Sequence, residues 1–292
     1  MVNPLTRSLE WSRQFVEGGS SSGPGRALGR LFGKRNRVGL QMASVPEGVR
    51  VYVIGDIHGC IGLLERLHAL VAEDAHSAPR GTRRIIVYLG DYVDRGLHSR
   101  EVLDVLSGRP LPGFDPVFLR GNHDQQFLDF FEQPRSGAVW FRYGGDATVY
   151  SYGVRIPETV GALDRFTYVR DELAAKVPAA HIEFLAHTQL YCEIGDYAFV
   201  HAGIRPELPL DRQVPEDLLW IRDGFLDYDR PLDKVVVHGH SVSDQPQLRE
   251  HRIGIDTGAC YGNALTCLVL EGHDRRFLSS REAGSRHLAC AE

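Results

Sequence analysis

The chain has 292 residues, of which 43% are hydrophobic and 24% are charged, and its formal net charge is -5. This composition is typical of a globular protein, and the negative charge excludes a nucleic-acid binder that depends on bulk positive charge. No stretch approaches the ~18 apolar residues of a membrane span, and the N-terminus lacks the apolar core of a secretory signal. We therefore expect a cytoplasmic protein without a transmembrane segment or a nucleic-acid partner, built as one large α/β domain or two small ones.

The cysteine pattern argues against a disulfide framework or a zinc knuckle. The five cysteines are scattered and contain no CxxC pair: Cys60, Cys192, Cys260, Cys267 and Cys290. An odd number without close spacing fits isolated thiols in a reducing compartment.

The first 47 residues differ in composition from the rest of the chain. Residues 18–25 read GGSSSGPG, which is typical of a flexible linker. The following RALGRLFGKRNR carries five basic residues. It is either a weak anchor to an acidic surface or a solvated extension, and its short length and two glycines favour the extension. We predict an extension over 1–47, a catalytic domain over 48–280 and a tail over 281–292.

Strand and helix patterns alternate in the first half of the predicted domain. The apolar runs VRVYVIG, RIIVYLG and PVFLR predict strands. Each is followed by a segment with helical spacing, namely IGLLERLHALVAE, HSREVLDVLSG and DQQFLDFFEQ. Such alternation predicts a layered α/β sheet.

The second half begins with helices and loops and then turns to strands. Residues 134–178 predict helices and loops, after which YCEIG and DYAFVHAG predict a hairpin. The further apolar runs KVVVHGH, RIGIDTG and ALTCLVLEG follow without long helices between them. We therefore expect a second sheet that faces the first, with helices outside.

Polar clusters follow five of the predicted strands. They read GDIHG, GDYVDRG, GNHD, HAG and HGH, and ligands of α/β sheets bind beyond the carboxyl ends of the strands. One such cluster alone would indicate only a turn, and Asn122 alone could cap a helix. Five together indicate a site for divalent metals, because oxygen and imidazole ligands suit Mn, Fe, Zn or Co, and the carboxylates would otherwise repel one another. The clusters contribute Asp56, His58, Asp91, Asp94, Arg95, Asn122, His123, Asp124, His201, His238 and His240.

The order of these clusters resembles a known family. GDIHG, GDYVDRG, GNHD, HAG and GHS occur in this order in the metallophosphoesterases, and more narrowly in the phosphoprotein phosphatases that include bacterial and phage serine/threonine phosphatases. The resemblance covers about residues 49–272. It implies an α/β fold, the calcineurin-like β-sandwich of two mixed sheets flanked by helices.

The resemblance also implies a dinuclear metal centre. Two divalent ions are expected, with Mn2+ favoured and Fe, Zn, Co or Ni as alternatives. Asp56 and His58 would bind one ion, and Asp91 would bridge both. The second ion would be bound by Asn122, His201 and His240. His238 would be its neighbour, and contact of His238 with the metal is left open.

Further residues acquire roles from the same resemblance. The two ions would activate a water-derived hydroxide for attack on phosphorus, while His123 acts as the general acid and Asp94 orients it. Arg95 and Arg222 would bind phosphate oxygens, with a surface salt bridge as the alternative for Arg222. Tyr261 would lie beside the leaving group.

The sequence departs from the family pattern in two places. GNHD replaces GNHE, and the shorter carboxylate of Asp124 should still pair locally. The eukaryotic C-terminal half with its RAHQ motif is absent, so no regulatory subunit is implied.

Several functions are compatible with these motifs. The leading expectation is a serine/threonine phosphatase acting on a phosphorylated protein or small phosphoester. The alternative is a diadenosine tetraphosphate hydrolase, in which the aromatic stretch Trp140–Tyr143 either stacks a base or packs internally. A cyclic-nucleotide phosphodiesterase fits less well, because GHS stands where that branch carries GHxH. A non-catalytic phosphate-binding domain is disfavoured, because all the expected ligands and the acid are present.

Overall fold

The computed structural model describes residues 37–108, 110–162 and 164–281. The predicted Gly/Ser linker lies outside the described residues, as do all but the last residue of the basic segment and all but the first residue of the C-terminal tail. None of the described helices is long and apolar enough to cross a membrane.

Ten strands and eight helices, apart from short 3-10 turns, make up the described part of the chain. The strands are β1 (Val49–Ile54), β2 (Arg83–Tyr88), β3 (Asp115–Phe118), β4 (Tyr191–Ile194), β5 (Tyr197–Val200), β6 (Val235–His238), β7 (Gln247–Leu248), β8 (Arg252–Gly254), β9 (Thr266–Glu271) and β10 (Asp274–Ser279). The helices are α1 (Ile61–Ala75), α2 (Ser99–Ser107), α3 (Asn122–Glu132), α4 (Gly137–Trp140), α5 (Gly145–Ser151), α6 (Arg165–Lys176), α7 (Ala179–Ala186) and α8 (Pro215–Trp220).

The strands form two mixed five-stranded sheets. The first has the order β10-β9-β1-β2-β3, with β1, β2 and β3 parallel and β9 and β10 antiparallel to their neighbours. The second has the order β4-β5-β6-β8-β7, with β5, β6 and β8 parallel. This architecture confirms the predicted sandwich of two mixed sheets flanked by helices.

The apolar run of β1 is explained by burial on both faces. Val51 and Val53 lie in the core between the two sheets, together with residues of β5, β6 and β8. Tyr52 and Ile54 point to the opposite face and pack against α1 and the other helices. Because successive side chains of a strand alternate between its faces, a strand covered on both sides needs apolar residues at nearly every position.

The second sheet departs from the sequence prediction at its end. The hairpin of β4 and β5 forms as predicted, with Gly195 in a left-handed conformation at the turn. The run ALTCLVLEG, expected in the second sheet, instead forms β9 and pairs with β1 in the first. The sequence analysis also missed β10, whose charged residues Asp274, Arg275 and Arg276 obscure its strand pattern.

The predicted boundary after residue 47 lies too late in the chain. Leu40, Ala43 and Val45 are buried in the core between the sheets. Val38 forms a bridge with Leu232, and the backbone N–H of Leu40 donates to the carbonyl of Glu250. Residues 38–47 therefore belong to the folded domain, because their apolar side chains complete its core.

Candidate metal centre and active site

The polar clusters follow the carboxyl ends of parallel strands in both sheets. Their backbone is unusual: six non-glycine residues among those described have positive φ, and five of them lie in these clusters. These five are His58 (φ 45°), Asp91 (52°), Asp94 (74°), Arg95 (66°) and His240 (61°). Left-handed conformations of non-glycine residues are costly and concentrate at functional sites. The strain therefore singles out this edge of the sandwich.

Asp91 occupies the middle of the cluster. Its Oδ2 lies 3.4 Å from Nε2 of His58 and 3.5 Å from Nε2 of His201. Its Oδ1 accepts a hydrogen bond from the backbone N–H of His123, at 3.0 Å. The residue is 1% exposed. Asp91 thus connects the loops after β1 and β2 with α3 and the loop after β5.

Backbone carbonyls fix the orientation of two histidines. Nδ1 of His58 lies 2.8 Å from the carbonyl oxygen of Val93, and Nδ1 of His201 lies 2.9 Å from that of Leu89. A carbonyl oxygen only accepts, so each Nδ1 carries the proton and donates it. In the neutral ring, Nε2 then presents a lone pair to the centre of the cluster. This arrangement is typical of histidines that bind metals.

Nε2 of His201 and Oδ2 of Asp91 present lone pairs beside the amide oxygen of Asn122. Its Oδ1 lies 2.9 Å from Nε2 of His201 and 2.9 Å from Nδ1 of His240. Because Nε2 of His201 has no proton in the neutral tautomer, it cannot donate to this oxygen or to Oδ2 of Asp91. Acceptors packed so closely need a cation between them.

Two buried atoms at the site have no hydrogen-bond partner. They are Oδ1 of Asp56 and Nε2 of His240. The other carboxylate oxygen of Asp56 accepts from the backbone N–H of His240 at 2.9 Å. Gly239 is required here, because a Cβ at this residue would lie 1.9 Å from Oδ1 of Asp56. An unpaired buried carboxylate oxygen indicates that a ligand completes its coordination.

The potential ligand atoms form two groups that share one residue. His58, Asp91 and His123 make one group, and Asp91, His201 and His240 make the other, with the atoms of each group within 4.8 Å of one another. All these residues are buried. Oxygen and imidazole donors in this arrangement fit divalent transition metals, and the shared Asp91 fits a pair of ions.

His123 is held by a buried carboxylate. Its Nδ1 lies 2.7 Å from Oδ2 of Asp94, and Nε1 of Trp140 donates to the same oxygen at 2.8 Å. Oγ1 of Thr148 donates to the other oxygen at 2.6 Å. Asp94 is completely buried, so these donors replace its hydration. The sequence analysis did not anticipate the contributions of Trp140 and Thr148, which come from helices far along the chain.

The pKa values at the site follow from burial and charge. Burial lowers the pKa of His58 to about 3 and that of His240 to about 2, so both rings are neutral and able to bind metal. Burial alone would also lower the pKa of His123, but Asp91 and the hydrogen bond to Asp94 raise it above its ordinary value. Burial alone would raise the pKa of the Asp91 carboxyl, but the surrounding histidines have the larger effect and hold that pKa below its usual range.

Two arginines flank the cluster. Arg95 places Nη1 2.8 Å from Nε2 of His58 and Nη2 3.0 Å from Nε2 of His123, and its guanidinium lies 5.6 Å from the centre of the Tyr261 ring. Arg222 is exposed, and its Nη2 donates to the backbone carbonyl of His240 at 3.1 Å. Tyr261 is 62% exposed. The structure thus brings all three predicted substrate-binding residues to the rim of the cluster.

His238 lies outside both groups of potential ligands. Its Nδ1 lies 2.9 Å from the carbonyl oxygen of Gly239, and its Nε2 lies 3.3 Å from Nη1 of Arg252. Both ring nitrogens of His238 therefore have partners outside the two groups of potential ligands. His240 is therefore the histidine of the HGH sequence that faces the site.

The sequence analysis missed Asp256. This residue follows β8, is 3% exposed and lies close enough to Asp56 to raise the pKa of that carboxyl, after the larger effect of burial. Asp256 could have been identified, because it follows the apolar run in RIGIDTG in the same way that Asp56 follows the apolar run of β1.

The predicted local pairing of Asp124 is present: its carboxylate accepts from the backbone N–H groups of Gly121, Asp91 and Tyr92 at 2.8–2.9 Å.

Comparison with known proteins agrees with this arrangement. The chain is 27% identical over 239 residues to the asymmetrical bis(5'-nucleosyl)-tetraphosphatase PrpE of Oceanobacillus iheyensis, covering 75% of this chain and 87% of that protein. It is 27% identical over 242 residues to the enzyme of the same name from Geobacillus thermodenitrificans, covering 75% and 90%.

Solved structures share the fold. A protein provisionally assigned as a diadenosine tetraphosphatase matches with a TM-score of 0.54 and 22% identity, covering 79% of this chain and 93% of that one. A cold-active protein tyrosine phosphatase matches with a TM-score of 0.51 and 17% identity, covering 80% and 81%. The family model for calcineurin-like phosphoesterases matches residues 49–273. The chain therefore belongs to the calcineurin-like phosphoesterase family, and it is a metal-dependent phosphoester hydrolase.

Proposed function

We propose that this protein hydrolyses bis(5'-nucleosyl) tetraphosphates asymmetrically. The observation that carries the phosphoester chemistry is the Asp91 carboxylate shared by two groups of potential metal ligands. The choice of substrate is supported by the relatives named as asymmetrical bis(5'-nucleosyl)-tetraphosphatases, which align over three quarters of the chain. The alternative substrate of the sequence analysis is thus better supported than the phosphoprotein expected first.

The proposed centre contains two divalent ions, with Mn2+ as the proposed ion. One ion would be held by Asp56 and His58, and the other by Asn122, His201 and His240. Asp91 would bind both ions. The unpartnered Oδ1 of Asp56 and Nε2 of His240 fit this assignment. The ions would supply charge neutralisation at the phosphate and a water molecule of lowered pKa.

The arginines would hold the substrate. Arg95 and Arg222 lie on either side of the ligand cluster and can donate two N–H bonds each to phosphate oxygens. A tetraphosphate chain offers oxygens on several consecutive phosphates, so it can contact both arginines at once. We propose that they align the attacked phosphate with the centre.

His123 would protonate the leaving group. Although burial lowers the pKa of its ring, the charge of Asp91 and the hydrogen bond to Asp94, which also orients the ring, raise that pKa above its ordinary value. The raised pKa favours the protonated form that a general acid requires. An N–H of Arg95 now faces Nε2 of His123 at 3.0 Å, and a proton on that nitrogen would clash with it. Proton donation therefore requires Arg95 to turn away from His123, and a bound phosphate provides the acceptor toward which it would turn.

The proposed reaction consumes one water molecule. Its oxygen bonds to a terminal phosphorus of the chain, and the bond from that phosphorus to the next bridging oxygen breaks. The products are a nucleoside monophosphate and a nucleoside triphosphate, which are the only unequal nucleotide pair that one such cleavage can give. Asymmetrical hydrolysis is thus distinguished from symmetrical hydrolysis by its products.

The test compares two substrates on protein loaded with Mn2+. We expect faster turnover, as kcat/KM, of diadenosine tetraphosphate than of a phosphothreonine peptide, with AMP and ATP as products and with activity abolished by a chelator. Asp91→Asn should abolish turnover of both substrates, which shows that the activity belongs to this site. A higher kcat/KM for the peptide would refute the proposed substrate, and two molecules of ADP would refute the asymmetry. Repeating the assay with Fe, Zn, Co and Ni would test the choice of manganese.

A further inference from the structure

An aromatic pair, the exposed Tyr143 and the half-buried Trp220, borders the candidate metal centre. Tyr143 ends the turn after α4 and is 46% exposed, although it is large and partly apolar. Its ring centre lies 6.3 Å from that of Trp220, at an interplanar angle of 62°. By contrast Trp140, in the same stretch of sequence, is buried and packs in the core. Internal packing therefore explains Trp140 but leaves the exposed face of Tyr143 unexplained.

Each ring of the pair touches the site itself. The Tyr143 ring centre lies 6.3 Å from that of His123, and the Trp220 ring centre lies 6.1 Å from that of His240. The pair thus spans the opening from the proposed general acid to a proposed ligand of the second metal. A planar group held there would lie directly beside the attacked phosphate.

The backbone couples each aromatic residue to one of the two arginines. The carbonyl of Gly144, next to Tyr143, accepts the backbone N–H of Arg95 at 3.0 Å. Gly144 has φ of 96°, and a Cβ there would lie 2.9 Å from the backbone nitrogen of Arg95, so only glycine permits this close contact. Trp220 ends α8 two residues before Arg222. A ligand with a planar base and a phosphate chain matches this alternation of aromatic and cationic groups.

We propose that Tyr143 and Trp220 form a nucleobase platform, on which one base of a dinucleoside tetraphosphate stacks while Arg95 and Arg222 hold its phosphates. The platform rests on the proposed function, since it assigns a place to the base of that substrate. Stacking of a base on an aromatic side chain tolerates any base, because every base has a π face. The platform therefore favours dinucleoside polyphosphates over phosphoesters that lack a base. It does not distinguish adenine from guanine.

The test measures a ratio of two activities in the protein loaded with Mn2+. In Tyr143→Ala, the ratio of kcat/KM for diadenosine tetraphosphate to kcat/KM for p-nitrophenyl phosphate should fall roughly 5-fold to 100-fold, mainly through KM, because base stacking contributes that much. Tyr143→Phe keeps the ring and should retain the ratio within about 3-fold. Tyr150→Ala replaces another exposed tyrosine, 61% exposed on α5, and should leave the ratio as in the wild type.

The outcomes separate this inference from the proposed function. If the wild-type protein does not hydrolyse diadenosine tetraphosphate, the proposed function fails and the platform fails with it. If the wild type does so but Tyr143→Ala retains the ratio, only the platform is refuted. Equal losses on both substrates would also refute it, because they would indicate a structural role for Tyr143. The platform would also be refuted if Tyr261→Ala lowers the ratio and Tyr143→Ala does not, since the base would then stack on Tyr261.

Discussion

The imidazole of His123 is held by a chain of buried hydrogen bonds. Trp140 and Thr148 donate hydrogen bonds to Asp94, and Asp94 also accepts a hydrogen bond from Nδ1 of His123. A carboxylate with three partners cannot rotate freely, so it fixes the ring and stabilises its protonated form. The role proposed for His123 therefore depends on residues from three separate segments of the chain.

This arrangement predicts a dependence on the leaving group. His123→Asn should lower kcat for phenyl phosphate by about 10²–10⁴-fold, because phenolate is a basic leaving group that needs a proton. The loss should be at least about tenfold smaller for p-nitrophenyl phosphate, whose leaving group is stable as an anion. Steady-state kinetics with the two substrates at matched metal content would check this. Equal losses on both substrates would contradict general-acid catalysis by His123.

Single residues also show which positions near the site can be located from local sequence patterns. Asp56, His58 and Asp91 were predicted together because they directly follow long apolar strands that share an edge. Asp256 was not predicted as a site residue, because β8 has only three residues and its strand pattern is therefore weak. The contacts of Trp140 and Thr148 with Asp94 were not predicted, because they depend on how α4 and α5 pack, and no local sequence pattern encodes that packing.

Among the elements, α1 packs its buried histidine against the first sheet. His68 is 6% exposed, and its Nε2 lies 2.9 Å from the hydroxyl oxygen of Tyr88 at the end of β2. Burial lowers the pKa of His68 to about 4. The folded protein thus keeps this ring neutral at a pH at which the unfolded chain, with an ordinary pKa of about 6.5, would already protonate it.

The low pKa of His68 predicts a loss of stability in acid. Because the unfolded state binds the proton first, the free energy of unfolding is unaffected well above pH 6.5 and falls as the pH drops from about 6.5 toward 4. Between about pH 7.5 and pH 5, the wild type should lose about 2 kcal/mol more than His68→Gln, which has no group that titrates there. Urea unfolding of both proteins at the two pH values gives this difference. Parallel losses in the two proteins would show that His68 is not the cause.

The elements themselves were largely predictable from periodicity. The boundaries of α1, α2 and α3 match the helical spacing of their segments to within a few residues. The pairing of β9 was not predictable, because an apolar strand fits the core of either sheet and only the whole topology decides between them. The packing of Leu40 and Val45 was missed for a related reason: they are isolated apolar residues outside any repeating pattern, and their burial depends on distant strands.

At the scale of the whole molecule, the site joins the two sheets. Asp56 and Asp91 come from loops after strands of the first sheet, and Asn122 begins α3 after β3 of that sheet, while His201 and His240 follow strands of the second. Ions bound at this edge would therefore connect the two layers of the sandwich at a place where carboxylates and lone pairs otherwise face one another. Metal binding should contribute to folding stability as well as to catalysis.

This geometry predicts that the metals stabilise the folded protein. Mn2+ at about 100 times its dissociation constant should raise the free energy of unfolding by about 2.7 kcal/mol for each site, because the ion binds the folded state far better than the unfolded chain. Urea unfolding of chelated protein and of protein with added Mn2+ would measure the increase. Asp91→Asn weakens both proposed sites at once, so its stability should respond much less to the ion. An unfolding free energy of the wild type that is insensitive to Mn2+, under conditions where the ion activates hydrolysis, would contradict a metal centre that holds the two sheets together.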